Sequence, residues 1–346
     1  MKKLRVFQTV KLKRTVPGFS HGNRGTVLLF HRRPVRKGYW PLFLLLAPYL
    51  VTFLFGNIKE GAAEYGDRER KAGEGYTFVC NTTGLGSERI PLEDYVADRL
   101  ARSIDESWEL ETLKAQAVLI RSGLLASLER GGGSTREILV EDGGYGSGQV
   151  SEKIWAAVTQ SAGVCLFYEG HPVSGAYFGV SNGATRNAGE LRLTGYPYLK
   201  SVLCSRDFLA GDYTSMAVYT QGEFERLWQQ APAFQITEEE IRKDGSVAVE
   251  NELESFSLYR DSVGYVLFVE REGKFVSGEQ FGASFHLASS SFHLDSEDGR
   301  IVARVKGTGH GLGMSQFGAN EMAKEGSDYV EILNYFFQDV IITKFE

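Results

Sequence analysis

Cysteine is scarce in this chain: Cys80, Cys165 and Cys204 are the only three in 346 residues. They form no C-x-x-C pair and no zinc-ligand spacing, which excludes a disulfide framework and leaves room for one disulfide or none. Internal repeats at a solenoid period are also lacking. So are the common nucleotide-binding loops. A phosphate-cradling Walker loop ends in Gly-Lys-Ser/Thr, whereas Gly313 is followed by Met314 and Ser315. The dinucleotide spacing G-x-G-x-x-G fails as well, because its third glycine falls on Leu312 or Met314. No cofactor is therefore expected.

Acidic residues are missing from positions 1–38, which carry 11 Lys or Arg. The rest of the chain holds 27 basic against 44 acidic residues, a balance that excludes nucleic acid as the partner of the main body. Hydrophobic residues at 42% and charged residues at 24% describe a folded, globular chain rather than a disordered one.

The basic stretch leads into an almost wholly apolar run at 39–56, beginning YWPLFLLLAPYLVTFLF. As a helix of about 17 residues it spans roughly 25 Å, slightly less than a hydrocarbon core of about 30 Å. A cleaved signal peptide is the rival reading. Such peptides are usually about 15–30 residues in all, but here 38 residues precede the apolar run. Ala62-Ala63 is the best cleavage site on offer. The expectation is a single uncleaved transmembrane helix with residues 1–38 as a cytoplasmic tail, because positive charge stays inside. Residues 57–75 read as a polar linker, and 76–346 as an extracytoplasmic domain.

Within that domain, Tyr76–Cys80 reads as a first strand. Pro91–Arg102 reads as a helix, with Leu92, Tyr95, Val96 and Leu100 at helical spacing. Glu109–Arg130 is the best-defined helix. Its apolar stripe is Leu110, Leu113, Ala117, Ile120, Leu124 and Leu128. Lys114 and Arg121 lie seven residues apart along one edge of that stripe, either covering it with their stems or lining a cleft.

Ser151–Ser161 and Glu223–Gln230 read as short helices. Thr237 with Glu240 and Asp328 with Glu331 are capping boxes for two more, the second opening a helix near Tyr329–Phe337. Val164–Tyr168, Val173–Val180, Phe256–Tyr259, Tyr265–Glu270, Ser291–Leu294 and Ile301–Lys306 read as strands. Helices and strands mix without βαβ regularity, so the expected class is α+β.

The stretch with most chemistry is Gly307–Gly326, GTGHGLGMSQFGANEMAKEG. Alternating glycines run into a helix start, with His310, Ser315 and Gln316 in the same turn. Such a loop predicts either a flexible turn or a backbone cradle for a polar or anionic ligand. His286 and His293, seven residues apart in FHLASSSFHL, read as strand-surface residues, and no metal site is expected.

This glycine-rich stretch and the following EILNYFF resemble the C-terminal signature of the family of sporulation stage II protein D and the amidase enhancer LytB. PLEDY at Pro91–Tyr95 and ETLKAQAVLIR at Glu111–Arg121 are similar to that family's N-terminal signature. Ile154–Tyr168, Ala176–Gly183 and Tyr196–Val202 resemble the stretches between. The likeness covers most of residues 89–204 and 285–340.

The resemblance implies a peptidoglycan-acting protein. Sporulation members are lytic transglycosylases, which cleave between N-acetylmuramic acid and N-acetylglucosamine. One carboxylic acid protonates the leaving oxygen, and a sugar hydroxyl closes an anhydro ring. The resemblance matches Lys114, Arg121, His310 and Gln316 to family positions, and with Ser315 from the same turn these are the candidate substrate contacts.

It also places the catalytic glutamate eight residues before Glu111, at Ser103. Serine is no general acid near neutral pH, so Asp105 and Glu106 are the candidate substitutes. Some members bind zinc through a histidine after the A-Y-F motif. Here Gly179 follows Ala176-Tyr177-Phe178, so that ligand is absent. Two functions stay open: an active transglycosylase, and a peptidoglycan-binding protein or amidase enhancer without the acid. Glycan strands are the expected partner in either case, and a cell-wall amidase is a further candidate in the second.

Overall fold

The computed structural model of the protein describes residues 77–82, 86–130, 137–140, 150–236, 247–253 and 256–345. The expected cytoplasmic tail, apolar run and linker, and the helix expected after Thr237, lie outside the described residues. No helix among the described residues is long and apolar enough to cross a membrane.

The architecture is α+β, as expected. Strands β1 (Thr77–Thr82), β2 (Gly86–Pro91) and β3 (Glu137–Val140) form one small sheet in the order β2-β1-β3. Helices α1 (Leu92–Ser103), α2 (Leu110–Arg130) and α3 (Glu152–Gln160) pack together beside β4 (Val164–Tyr168) and β5 (His171–Pro172). Next come the two-residue β6 (Tyr177–Phe178), β7 (Thr214–Thr220) and α4 (Gln221–Gln230). Strands β8 (Val247–Leu253), β9 (Phe256–Arg260), β10 (Val266–Arg271) and β11 (Lys274–Ser277) make a four-stranded meander, followed by α5 (Gly278–Phe285). Strands β12 (Phe292–Glu297) and β13 (Arg300–Lys306) join β7 in the order β12-β13-β7. The chain ends through β14 (Met314–Ser315), α6 (Gln316–Lys324), α7 (Tyr329–Phe336) and β15 (Ile341–Lys344), the last pairing with β4.

Helix α2 is the structural axis. The stripe read from the sequence faces α1 and α3, where Leu113, Ala117, Ile120 and Leu124 meet Val96, Leu100, Ile154 and Val158. Its opposite face is buried too: Ala115, Val118 and Leu119 pack against Leu166, Leu312, Met314, Leu333 and Phe336. Each such fully buried aliphatic side chain contributes about 1.5–3 kcal/mol. A helix enclosed on two sides must also satisfy its buried polar groups, which governs what Gln116, Arg121 and Ser122 do below.

A second core lies under the meander. Phe281 stacks on Phe285 and Phe292 with ring centroids 4.0 and 4.9 Å apart, and Phe224, Trp228 and Phe256 close the cluster.

Caps set the helix boundaries. Thr220 with Glu223 and Asp328 with Glu331 form complete capping boxes, the second as the sequence predicts. Three expectations change. The single strand expected at Val173–Val180 is reduced to β6, because this segment pairs with the glycine-rich loop: Met314 and Ser315 align with Tyr177 and Phe178, and Thr308 bridges Val180. Strand β7, with no alternating pattern to announce it, was not foreseen. His286 lies on no strand. It caps α5 in the left-handed region at φ 57°, while His293 is an exposed residue of β12.

Candidate functional site

The glycine-rich loop lies flat against residues 176–181. All four of its glycines, 307, 309, 311 and 313, have positive φ. Gly313 shows why: a Cβ there would sit 2.2 Å from the Ala176 carbonyl oxygen. The close approach lets Met314 N–H donate to Ala176 O at 3.0 Å and Phe317 N–H donate to Gly179 O at 3.0 Å.

The open anionic cradle is not what these residues build. Thr308, Gly309, Leu312, Met314, Phe317 and Gly318 all donate their N–H groups within the protein. The loop is a clasp that fixes side chains in place.

His310 sits inside that clasp. Its Nδ1 accepts from Leu312 N–H at 3.0 Å, so the proton of the neutral ring resides on Nε2. Its ring packs on Phe178, centroids 5.6 Å apart. Burial pushes its pKa below the ordinary 6.5 and keeps it uncharged near neutral pH.

Beneath it is an ion network absent from the sequence reading. Arg186 donates to Asp261 and Glu279, both at 2.6 Å, and its guanidinium lies 4.9 Å from the Tyr265 ring centre. Burial opposes the charge on Arg186, but Glu279 and Asp261 outweigh it and hold the pKa above the ordinary arginine value. The partners lie 75 and 93 residues away in sequence, so no local spacing could have shown the pairing.

Ser315 and Gln316 start α6 and tie it to two distant segments. Ser315 Oγ caps the helix by accepting from Gly318 N–H and donates to Asp207 Oδ2 at 2.7 Å. Asp207 is wholly buried and also accepts from Ser181 N–H at 2.6 Å, while its Oδ1 has no partner. Burial raises its pKa. Its signal in the sequence was faint: one carboxylate directly after a family-like stretch.

Gln316 reaches the other way. Its Nε2 donates to the Ser103 carbonyl at 2.8 Å and lies 3.4 Å from Gln116 Oε1. Asn320, one turn further along α6, accepts from Glu109 N–H at 2.9 Å. The corner between α1 and α2 is thus fastened to the first turns of α6, and Ser103 and Gln316 are brought together from 213 residues apart.

Lys114 and Arg121 differ in accessibility. Lys114 pairs with Glu111 at 2.6 Å and lies 5.9 Å from the Tyr329 ring centre, at the edge of the same corner. Arg121 is wholly buried. Its guanidinium holds both Glu93 oxygens, at 3.0 and 2.5 Å, and the Val164 carbonyl at 2.9 Å. It joins α2 to the start of α1 and to β4.

The position where the resemblance expects the acid lies at the same corner. Ser103 is the last residue of α1, and its hydroxyl donates to Leu100 O at 3.3 Å. Asp105 and Glu106 follow in an exposed turn. The Ser107 backbone N–H donates to Asp105 at 2.9 Å, and this bond holds its carboxyl below the ordinary carboxylate range. A general acid needs the opposite, a raised pKa from burial. Asp105 is therefore ionised near neutral pH and has no proton to give; Glu106 beside it is exposed.

The comparisons with known proteins agree with this anatomy. The family model SpoIID, described as Stage II sporulation protein, matches residues 82–168, from β1 through α1–α3 to β4. The chain is 28% identical to Stage II sporulation protein D of Bacillus subtilis over 334 residues, covering 87% of this chain and 92% of the relative. It is 29% identical to the protein of the same name from Bacillus amyloliquefaciens, covering 77% and 78%. An uncharacterized protein of Brachyspira hyodysenteriae is 23% identical, covering 77% and 70%. Residues 82–168 thus carry a SpoIID domain, and the chain is similar over most of its length to Stage II sporulation protein D.

Proposed function

We propose that this protein binds peptidoglycan glycan strands on the outer side of a membrane during sporulation and does not cleave them. One observation carries the reading: Ser103 stands where the resemblance places the acid, and the neighbouring carboxylates, Asp105 and Glu106, are exposed, with Asp105 held ionised. Transglycosylation needs a proton delivered to the glycosidic oxygen as the bond breaks, and this corner holds no suitable donor.

What remains is a binding surface. Lys114, paired with Glu111 beside the Tyr329 ring at the edge of the corner, offers N–H donors suited to sugar hydroxyls, acetamido groups and carboxylates. Holding a glycan strand without cutting it suits an amidase enhancer, which presents stem peptides to a hydrolase. The apolar run at 39–56 serves as the anchor, with the SpoIID domain outside.

The test is co-sedimentation of the protein with purified peptidoglycan, competed by peptide-free glycan strands. Retention that falls about tenfold in a Lys114→Ala variant of unchanged thermal stability supports the reading. Equal retention of wild type and variant counts against it.

A further inference from the structure

A pocket of about 540 Å³ opens at the C-terminal end of α2, away from the corner at Ser103. Its lining includes Arg130, 16 residues along the helix from Lys114, which at 1.5 Å per residue is a separation of about 24 Å. The volume falls within the roughly 300–1,000 Å³ of ordinary ligand sites. Three segments enclose it: the last turn of α2, the turn between β4 and β5, and the loop at 194–198.

These segments are fastened to one another, so the pocket is formed before any ligand arrives. His171 Nδ1 and Glu129 Oε1 lie 2.9 Å apart, which ties the β4–β5 turn to α2. Arg130 donates to the Tyr196 hydroxyl at 3.4 Å, which ties α2 to the loop. Tyr198 is buried, and its hydroxyl accepts from Ser174 N–H at 3.0 Å. Its ring meets those of Tyr168 and Tyr196 at 5.6 and 6.1 Å between centroids.

The chemistry of the lining selects the ligand. Glu129 and Glu169 bring two carboxylates, Arg130 a guanidinium, and Tyr168 and Tyr198 two aromatic rings. A ligand with charge of one sign only meets a like charge in this pocket. A zwitterion is matched at both ends: its ammonium suits the carboxylates and ring faces, and its carboxylate suits the planar fork of Arg130. In peptidoglycan the N-acetylated sugars carry no ammonium. The stem peptides attached to them carry both groups, at the free amine of their diamino acid and at their carboxyl ends.

We propose that this pocket binds the stem peptides of peptidoglycan through their zwitterionic ends, the ammonium at Glu129 and Glu169 and the carboxylate at Arg130. The inference rests on the reading of this protein as a peptidoglycan binder and adds a peptide site, separate from the glycan contacts at the corner.

The test uses the full chain in mild detergent and isothermal titration calorimetry. The probes are disaccharide-peptides from a muramidase digest of peptidoglycan, the same compounds with their amino groups acetylated, and peptide-free glycan strands. Wild type is expected to bind the disaccharide-peptides at least about threefold tighter than the acetylated form. Glu169→Gln should shrink that preference, and Arg130→Gln should weaken binding of the disaccharide-peptides at least about threefold. Equal affinity of wild type for the two peptide forms overturns the proposal, as do two variants that both bind like wild type. The peptide-free strands keep the two readings apart. Strands that bind while acetylation changes nothing overturn the pocket alone. Strands that fail to bind, beside a peptide preference that holds, overturn the glycan reading alone.

Discussion

Two titratable side chains, the buried Asp207 and the half-buried His310, hold the clasp and respond to pH in opposite senses. Burial raises the Asp207 pKa above 3.8, so the folded state keeps its proton more tightly than the unfolded chain. Its stabilising contribution is complete in acid and is lost as pH rises through the folded pKa. At neutral pH the buried charge is a burden that Asn would remove while still accepting from Ser181 and Ser315. Asp207→Asn should therefore match or exceed wild-type stability at pH 7, whereas Asp207→Ala should lose about 1–3 kcal/mol by orphaning two buried donors. Chemical denaturation of the three proteins distinguishes them, and equal losses for Asn and Ala would contradict this account.

His310 behaves in reverse. Its folded pKa lies below 6.5, so its contribution is complete above about 6.5 and is lost as pH falls below that value. In His310→Asn, the amide oxygen can take over the bond from Leu312 N–H without titrating there. The fall in stability below about pH 6.5 should then flatten relative to wild type in a series of denaturation curves. An unchanged slope would assign that pH dependence to other groups.

Among the elements, the glycine-rich loop is where geometry is least forgiving. Gly313→Ala must place a Cβ against the Ala176 carbonyl at positive φ, and something has to move. Gly326 provides the control: its φ is 103° and nothing lies within 4 Å of its added Cβ. Gly326→Ala should cost about 1 kcal/mol for the left-handed backbone alone, and Gly313→Ala at least about 2 kcal/mol more. Thermal unfolding of both variants checks the difference, and similar melting points would mean that the loop does not clasp residues 176–181 as described.

Legibility in the sequence also differs by element. Helix α2 was readable because its apolar stripe repeats over six turns, and α7 because Asp328 and Glu331 announce its start. Strand β4 was read at its observed limits from a compact apolar run. Strand β7 was invisible because, as an edge, it shows no in-out alternation, and β6 was overextended because its partner lies more than 130 residues away. The sequence placed Ser315 and Gln316 in one turn, yet nothing local showed that Gln316 grips Ser103 or that Arg121 is buried among α1, α2 and β4. Burial of the second face of α2 depends on segments distant in sequence, and no single-helix pattern contains it.

At the scale of the whole molecule, the proposed function is glycan binding without cleavage. The clasp, the fastened corner and the Arg121–Glu93 pair all stand, while Ser103 occupies the position to which the resemblance assigns the acid. That claim is tested most directly by mass spectrometry of purified glycan strands incubated with wild type and with Ser103→Glu, each assayed for 1,6-anhydromuramyl ends. The account predicts none above background from wild type, and their appearance with Ser103→Glu, whose carboxyl would stand at the end of α1. Anhydro ends released by wild type would contradict it and return Glu106 to consideration as the acid.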